Sequence, residues 1–369
     1  VKSFNAICVF IALQIVIINV MASEPVLVVS QGLLSNPRQP QAAVDEDGKI
    51  HITFGSDEGI YYCGSSDKGK TFSDPVKIDS ITKLAIGMRR GPRIVANREA
   101  ILVTAISHES GNLFSWRSVD GGKLWQGPVE VNDSPNDARE GLHAMAISSA
   151  GKTFCVWLDL RTKRTQLYGA SSDDLGKTWS KNRRIYASPD GNICECCHPA
   201  VAYDGEGNVY AMWRNSLKGS RDLYSAISRD GGKTFGAGMK LGRGSWQLNA
   251  CPMDGGYLAV GASGRLTTIW RRDTKIYRTD SEPIDEQFLG TGEQPWATAT
   301  SDGAYLIWLS RRKGNLWLAT PGKRETQRLS RSASDPIIAA SATGQGPVIA
   351  VWETGNDRDQ SIMAQVVGE

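Results

Sequence analysis

Five residues near the middle of the chain, CECCH from Cys194 to His198, crowd three thiols and an imidazole into one short stretch. Three chemistries use such a set. In an oxidising compartment the thiols bond to one another, with Cys251 as a further partner. Thiolates and imidazole also hold metal ions, and Cys194, Cys196, Cys197 and His198 are the candidate ligands, extended by His143 or Cys251. Cys-x-x-Cys-His is in addition the c-type haem attachment pattern, which needs an exposed peptide and room for a porphyrin. Disulfide bonding is the preferred reading. Spacing alone does not choose among the pairings of the six cysteines that follow Cys8.

A second reactive set is spread along the chain at recurring places. Just before short apolar stretches stand Arg38 in RQP, Arg89, Arg90 and Arg93 in RRGPR, Arg139, Glu140 and His143 in REGLH, Glu293 in EQPW and Asp335 in SDP. Just after the stretches that follow stand Asp57 and Glu58, Asp159 and Arg161 in WLDLR, Arg214 in WRN, Arg271 and Arg272 in WRR, Arg311 in WLSRR and Glu353 in WET. Guanidinium forks suit a carboxylate or sulfate ligand. Mutual salt bridging around a wet channel is the plainer alternative. His51 and His108 stand apart from these clusters and read as structural.

Alternating apolar and polar residues over four to eight positions, bounded by Gly and Asp turns, specify half-buried antiparallel strands. PAVAYDGEGNVYAMWRN followed by RDLYSAISRDGGKTF shows the pattern, and no stretch keeps a helical period. Four copies of an octapeptide mark the repeat: SSDKGKTF at 65–72, SVDGGKLW at 118–125, SDDLGKTW at 172–179 and SRDGGKTF at 228–235. Their aspartates, Asp67, Asp120, Asp174 and Asp230, fall at intervals of 53, 54 and 56 residues. A fixed period of this length means one supersecondary unit used repeatedly.

Units opening near Pro40, Pro92, Gly141, Pro199, Pro252, Pro295 and Pro336 predict an all-β propeller, with seven blades favoured over six. The last unit stops after its third strand, and PVLVVSQ near the N-terminus is placed to supply the fourth and close the ring. In the octapeptide, Asp can accept its own turn's N–H groups, Gly takes φ > 0 and the aromatic packs between sheets. These roles are structural. The octapeptides should lie on the face opposite the arginine-rich mouth, which is where a ligand is expected.

The octapeptide resembles the Asp-box of the sialidase (neuraminidase), or BNR-repeat, superfamily, and the resemblance spans most of the chain. It implies three arginines gripping a sugar carboxylate, an Asp acid/base and a Glu-activated Tyr nucleophile. By that resemblance Asp57 is the acid/base, Glu140 the activating glutamate, and Arg38, Arg161 and Arg221 the three arginines, with Arg93 and Arg214 added from the mouth. Leu248 stands where the family places its nucleophilic Tyr, with Tyr257 and Tyr277 as substitutes elsewhere. The resemblance implies an exo-sialidase-like glycoside hydrolase that recognises an acidic, sialic-acid-like glycan. A non-catalytic propeller that binds a glycan or protein, and a metal-dependent enzyme built on CECCH, are the alternatives.

Composition fits an exported soluble protein. Charged residues are 22% and hydrophobic residues 40% of the chain. A net charge of +3 with pI near 8.4 and no basic run argues against nucleic acid. Residues 1–23 read as a signal peptide with cleavage near Ala22 or Ser23, an uncleaved anchor over Phe4 to Val20 being the alternative. Residues 24–369 then form one domain, periplasmic or secreted, with no stable membrane insertion and no cofactor other than the metal considered above.

Overall fold

Period-2 alternation becomes strand wherever it was read, and every sheet is antiparallel. The structure is a computed structural model and describes residues 23–261, 263–280, 285–356 and 359–368. The expected signal peptide therefore lies, Ser23 excepted, outside the described residues. No helix occurs among the described residues, and so none long and apolar enough to cross a membrane.

The first strand, β1, is Val26–Ser30. A four-stranded sheet follows: β2 (Arg38–Val44), β3 (Ile50–Ser56), β4 (Gly59–Ser65) and β5 (Val76–Ser80). The second sheet holds β6 (Arg93–Ala96), β7 (Ile101–Ile106), β8 (Leu113–Ser118) and β9 (Gln126–Glu130). The third holds β10 (His143–Ile147), β11 (Thr153–Asp159), β12 (Gln166–Ser172) and β13 (Arg183–Tyr186). The fourth holds β14 (Ala200–Tyr203), β15 (Val209–Arg214), β16 (Leu223–Ser228) and β17 (Met239–Lys240). The fifth holds β18 (Tyr257–Val260), β19 (Leu266–Arg272), β20 (Lys275–Asp280) and β21 (Gln287–Thr291).

The remaining strands are β22 (Glu293–Thr300), β23 (Gly303–Leu309), β24 (Gly314–Ala319), β25 (Gln327–Ala339), β26 (Val348–Asn356) and β27 (Asp359–Gly368). They form one seven-stranded sheet with β1 at its edge. Its long strand β25 serves two ladders. The part up to Ala333 pairs with β24, and the part from Ser334 pairs with β26. The expected closure is present, since β1 lies antiparallel on β27 with Val26 opposite Ala364 and Ser30 opposite Ser361.

The first strands β2, β6, β10, β14, β18, β22 and β25 touch in that order, and β25 returns to touch β2. A closed ring of antiparallel sheets is consistent with a β-propeller and removes the exposed edges that open sheets must protect. The ring encloses a channel of about 170 Å³ lined by Ala43, Ala96, Ala144, Ala202, Ala259, Ala297 and Ala339 among others. Strands converging on one axis leave room only for small side chains, which is why each first strand carries alanine.

Each octapeptide joins the third and fourth strands of its sheet, away from the entries to the first strands. In the third sheet, Ser172 Oγ donates to Asp174 Oδ1 at 2.9 Å and accepts from Gly176 N at 2.9 Å. Asp174 Oδ1 accepts from Thr178 N, and its Oδ2 accepts from Thr178 Oγ1 at 2.6 Å. The same set recurs around Asp67 and Asp230. These donors hold Asp67 down to about 2. Leu124 removes the hydroxyl from the second copy, leaving the main-chain bonds to Asp120.

The closing aromatic packs on the preceding sheet. Trp125 meets Tyr62 edge-on at 5.5 Å, and Phe235 meets Phe154 at 5.8 Å. The same contacts explain two of the glycines. Gly122 and Gly232 adopt φ of 88° and 90°, and a Cβ on either would fall 2.1 Å from Tyr62 or Phe154. Ser172→Ala should therefore cost about 1–2 kcal/mol, because it strips one donor and one acceptor from a buried turn. Chemical denaturation measures this, and no change would contradict the structural role.

Candidate functional site

The mouth is organised by a backbone feature that recurs around the ring. Gln39, Gln294 and Asp335 have φ of 54°, 53° and 47°, and each precedes a proline. Each also sits where its ladder skips, between Arg38 and Gln41, Glu293 and Trp296, and Ser334 and Ile337. Proline cannot donate to a ladder, and a bulge re-aims its residues. The result is a buried polar layer. Gln39 N donates to Glu353 Oε1 at 2.6 Å, and Gln294 N donates to Asp254 Oδ2 at 2.7 Å. Gln294 Nε2 donates to Asp335 Oδ1 at 3.2 Å, and Asp335 N donates back to Gln294 Oε1 at 3.0 Å.

Three buried arginines tie this layer together through main-chain carbonyls. Arg89 donates from Nη1 to Pro336 O at 2.9 Å and from Nη2 to Gln294 O at 3.0 Å, reaching from the second sheet to β22 and β25. Arg93 donates to His143 O, Gly91 O, Pro92 O and Arg89 O. Arg214 donates to Asp254 O, Arg221 O and Arg271 O. Burial lowers the pKa of Arg93 to about 10. This corrects the expectation that Arg93 and Arg214 bind substrate. Their donors are committed to carbonyls, so neither presents a fork to an external carboxylate.

Beside the layer lies a cleft of about 550 Å³. Its cations are Arg38, Arg90, Arg312 and Lys313, and Asp335 and Glu353 lie among them with Met88, His108 and Gln360. Among the described residues the Arg38 guanidinium has no hydrogen-bond partner. Arg90 Nε donates to Glu140 O at 2.7 Å, and Arg312 sits 3.6 Å from Asp335 Oδ2. Glu353 is 3% exposed and also accepts from Gln360 Nε2. Its carboxyl is pushed up to about 8, first by burial and then by Asp335 beside it. His108 is exposed at this rim, with Nδ1 3.0 Å from Arg139 O. His51 is structural, held between Tyr62 Oη and Asp45 Oδ2.

Of the residues matched by resemblance, Arg38 lines the cleft and the rest lie outside its lining. Asp57 is exposed in the β3–β4 hairpin at φ 53°. Glu140 is part-buried beside Arg90, and burial raises its pKa. Arg161 is paired with Asp159 at 2.9 Å and Asp133 at 3.0 Å, and it covers the Tyr168 ring. Arg221 N donates to Trp246 O, and Arg221 O accepts from Arg214 Nη1. Among the described residues no tyrosine lines the cleft. Tyr257 is stacked on Trp296 with centroids 3.8 Å apart, its hydroxyl pushed up to about 12 by burial. Tyr277 packs against Trp270 and Phe288.

The CECCH stretch enters the fourth sheet just before β14. Cys196 is disulfide-bonded to Cys251, at the entry to the fifth sheet. That corrects the four-ligand metal reading, because a bonded sulfur is not a thiolate donor. Cys194 and Cys197 remain thiols, each 1% exposed, with their sulfurs 2.9 Å apart. A hydrogen bond from Cys197 lowers the Cys194 pKa, aided by Arg214, while burial raises that of Cys197.

Residues 115–270 match the BNR repeat-like domain family. No curated protein matches the chain significantly. Among solved structures, a protein of unknown function from Dyadobacter fermentans DSM 18053 aligns at 18% identity over 94% of this chain and 99% of its own, with TM-score 0.56. The polysaccharide lyase Uly1 aligns at 10% identity over 90% of each chain, with TM-score 0.55. The α-L-arabinofuranosidase arb93a from Fusarium graminearum, solved with an iminosugar inhibitor, aligns at 13% identity over 94% of this chain and 98% of its own, with TM-score 0.52. At these identities the likeness concerns the fold.

Proposed function

We propose, from the match of residues 115–270 to the BNR repeat-like domain family, an exported seven-bladed propeller that recognises an acidic glycan in its mouth cleft. The count rests on the ring of first strands from β2 to β25, with β25 shared between the last two blades. The Cys196–Cys251 disulfide supports an oxidising, exported location.

One observation carries the ligand class. The cleft sets Arg38, Arg90, Arg312 and Lys313 around Glu353, whose burial favours the uncharged acid. A cationic rim over a neutralised carboxyl accepts an anion, and a guanidinium fork without a partner is ready for a sugar carboxylate. Arg38 takes that role here, with Arg312 and Arg90 beside it.

Titration with sialylated and uronate-containing oligosaccharides tests the proposal, against the same glycans with the carboxylate reduced to alcohol. Acidic forms should bind, the reduced forms should not, and Arg38→Ala should weaken binding at least about tenfold, the loss of one charge-assisted pair. Equal binding of neutral and acidic forms would remove the proposal.

A second reading, turnover, is favoured by the carboxyl pair. Burial pushes the Glu353 carboxyl up to about 8, which suits a proton donor to a glycosidic oxygen, and Asp335 lines the same cleft as its partner carboxyl. This chemistry uses no tyrosine. Glu353→Gln should abolish release of sugar while leaving binding, and unchanged release would exclude Glu353 as the acid.

A further inference from the structure

Four sulfurs stand at the junction between the fourth and fifth sheets, away from the mouth cleft. Cys194 Sγ lies 2.9 Å from Cys197 Sγ and 3.7 Å from Cys196 Sγ, and all three sulfurs fall within 4.8 Å of one another. Cys196 is bonded to Cys251. Cys194 and Cys197 are buried, whereas Cys251 is exposed. A buried dithiol thus touches one sulfur of a disulfide whose other half belongs to an exposed residue. A metal centre would need the sulfurs farther apart, since two zinc–sulfur bonds of about 2.3 Å in tetrahedral array separate them by well over 2.9 Å.

We propose that Cys194, Cys196, Cys197 and Cys251 form a thiol–disulfide relay, in which the buried dithiol reduces a low-molecular-weight or peptide disulfide through Cys251. The Cys194 thiolate attacks Cys196 Sγ. A Cys194–Cys196 bond forms, the Cys196–Cys251 bond breaks, and Cys251 leaves as an exposed thiolate. Cys251 then attacks an external disulfide, forming a mixed disulfide and releasing one thiolate. Cys197, having given up its proton, attacks Cys194 and releases the Cys196 thiolate. Cys196 attacks Cys251, restores the original disulfide and expels the second external thiolate. The balance is two electrons and two protons. Cys194 and Cys197 become a disulfide, and the external disulfide becomes two thiols.

Each member has a reason to hold its place. Cys194 is the attacking sulfur because it is the one that touches Cys196, and Arg214 and Arg221 lend positive charge to its thiolate. Cys194 N donates to Arg214 O, and Met253 packs on the cluster, which fixes the loop on the next sheet. Cys251 is the leaving group because its sulfur is the one bonded to Cys196, and it is the exposed residue of the four. Cys63 and Cys155 lie buried in β4 and β11, outside the relay.

The folded full chain, equilibrated in a glutathione buffer and then freed of it, is treated with 5,5′-dithiobis(2-nitrobenzoate). Two equivalents of nitrothiobenzoate should be released with no aryl group retained, and peptide mapping should find Cys194–Cys197 and Cys196–Cys251 both linked. Cys197→Ser should stop halfway, with one equivalent released and one aryl group held on Cys251. Cys194→Ser should slow release at least tenfold. Release traced to Cys63 or Cys155, release unchanged in Cys194→Ser, or no release at all would overturn the relay. Stoichiometric zinc or copper at Cys194 and Cys197 by elemental analysis would overturn it too.

Discussion

Replacing Arg89 by methionine should destabilise the protein by about 3–5 kcal/mol, as expected when a buried charge that satisfies several partners is removed. The guanidinium is 3% exposed and bridges Pro336 O and Gln294 O from the entry to β6. Both carbonyls lie at ladder breaks, so no strand partner replaces the lost donors. Asp335 Oδ1, 4.0 Å from Arg89 Nε, loses a neighbouring cation at the same time. The Trp296 ring loses the cation 5.1 Å from its centroid. Lysine should restore only part of the stability, because one ammonium cannot span two carbonyls as a planar fork does. Denaturant unfolding of the three proteins measures the effect. A loss below about 1 kcal/mol for methionine would mean that water replaces Arg89 and that the ring needs no spoke at this point.

Glu353 should make stability fall as pH rises. Its folded pKa of about 8 lies above the ordinary carboxylate value, so between those values the folded chain holds a proton that the unfolded chain has lost. Stability attributable to this group is complete below about pH 4, declines as pH rises toward 8, and levels off above it. The loss is of order 2–4 kcal/mol, shared with Asp335 because the two carboxyls act on one another. Glu353→Gln keeps an acceptor for Gln39 N and carries no charge. The difference in unfolding free energy between variant and native protein should therefore grow from pH 5 to pH 8.5 in the variant's favour. A difference that stays constant or changes sign would mean that Glu353 is ionised in the folded state.

Much of this architecture was legible in the residues. Prolines and turns at 40, 92, 141, 199, 252, 295 and 336 fall within a few residues of the seven first strands, because a strand entry is where proline and φ > 0 are tolerated. Octapeptide chemistry is local, so its hydrogen bonds follow from its spacing. The pairing of β1 with β27 was legible because a three-stranded last unit needs one more strand.

The site was less legible, since strand periodicity does not say which way a bulged residue turns. Arg89, Arg90 and Arg93 share one short stretch. Met88, Arg89 and Gly91 have φ of 53°, 66° and 137°, and this twisted backbone buries Arg89 and Arg93 while leaving Arg90 at the cleft. Arg214 and Arg38 look alike in sequence, one before and one after a strand. Whether each meets three carbonyls or none depends on the neighbouring sheet. The signal that would have found Glu353 is the recurrence of Gln-Pro, Gln-Pro and Asp-Pro at 39, 294 and 335, which marks a polar layer with buried carboxyls.

The most direct test of acidic-glycan recognition is a crystal structure of the full chain soaked with a uronate- or sialate-terminated oligosaccharide. The account predicts the sugar carboxylate against the Arg38 guanidinium, with Arg312 or Arg90 as second donor and Glu353 within reach of the ring. A sugar bound through Arg161 or on the octapeptide face, with the mouth cleft empty, would contradict it.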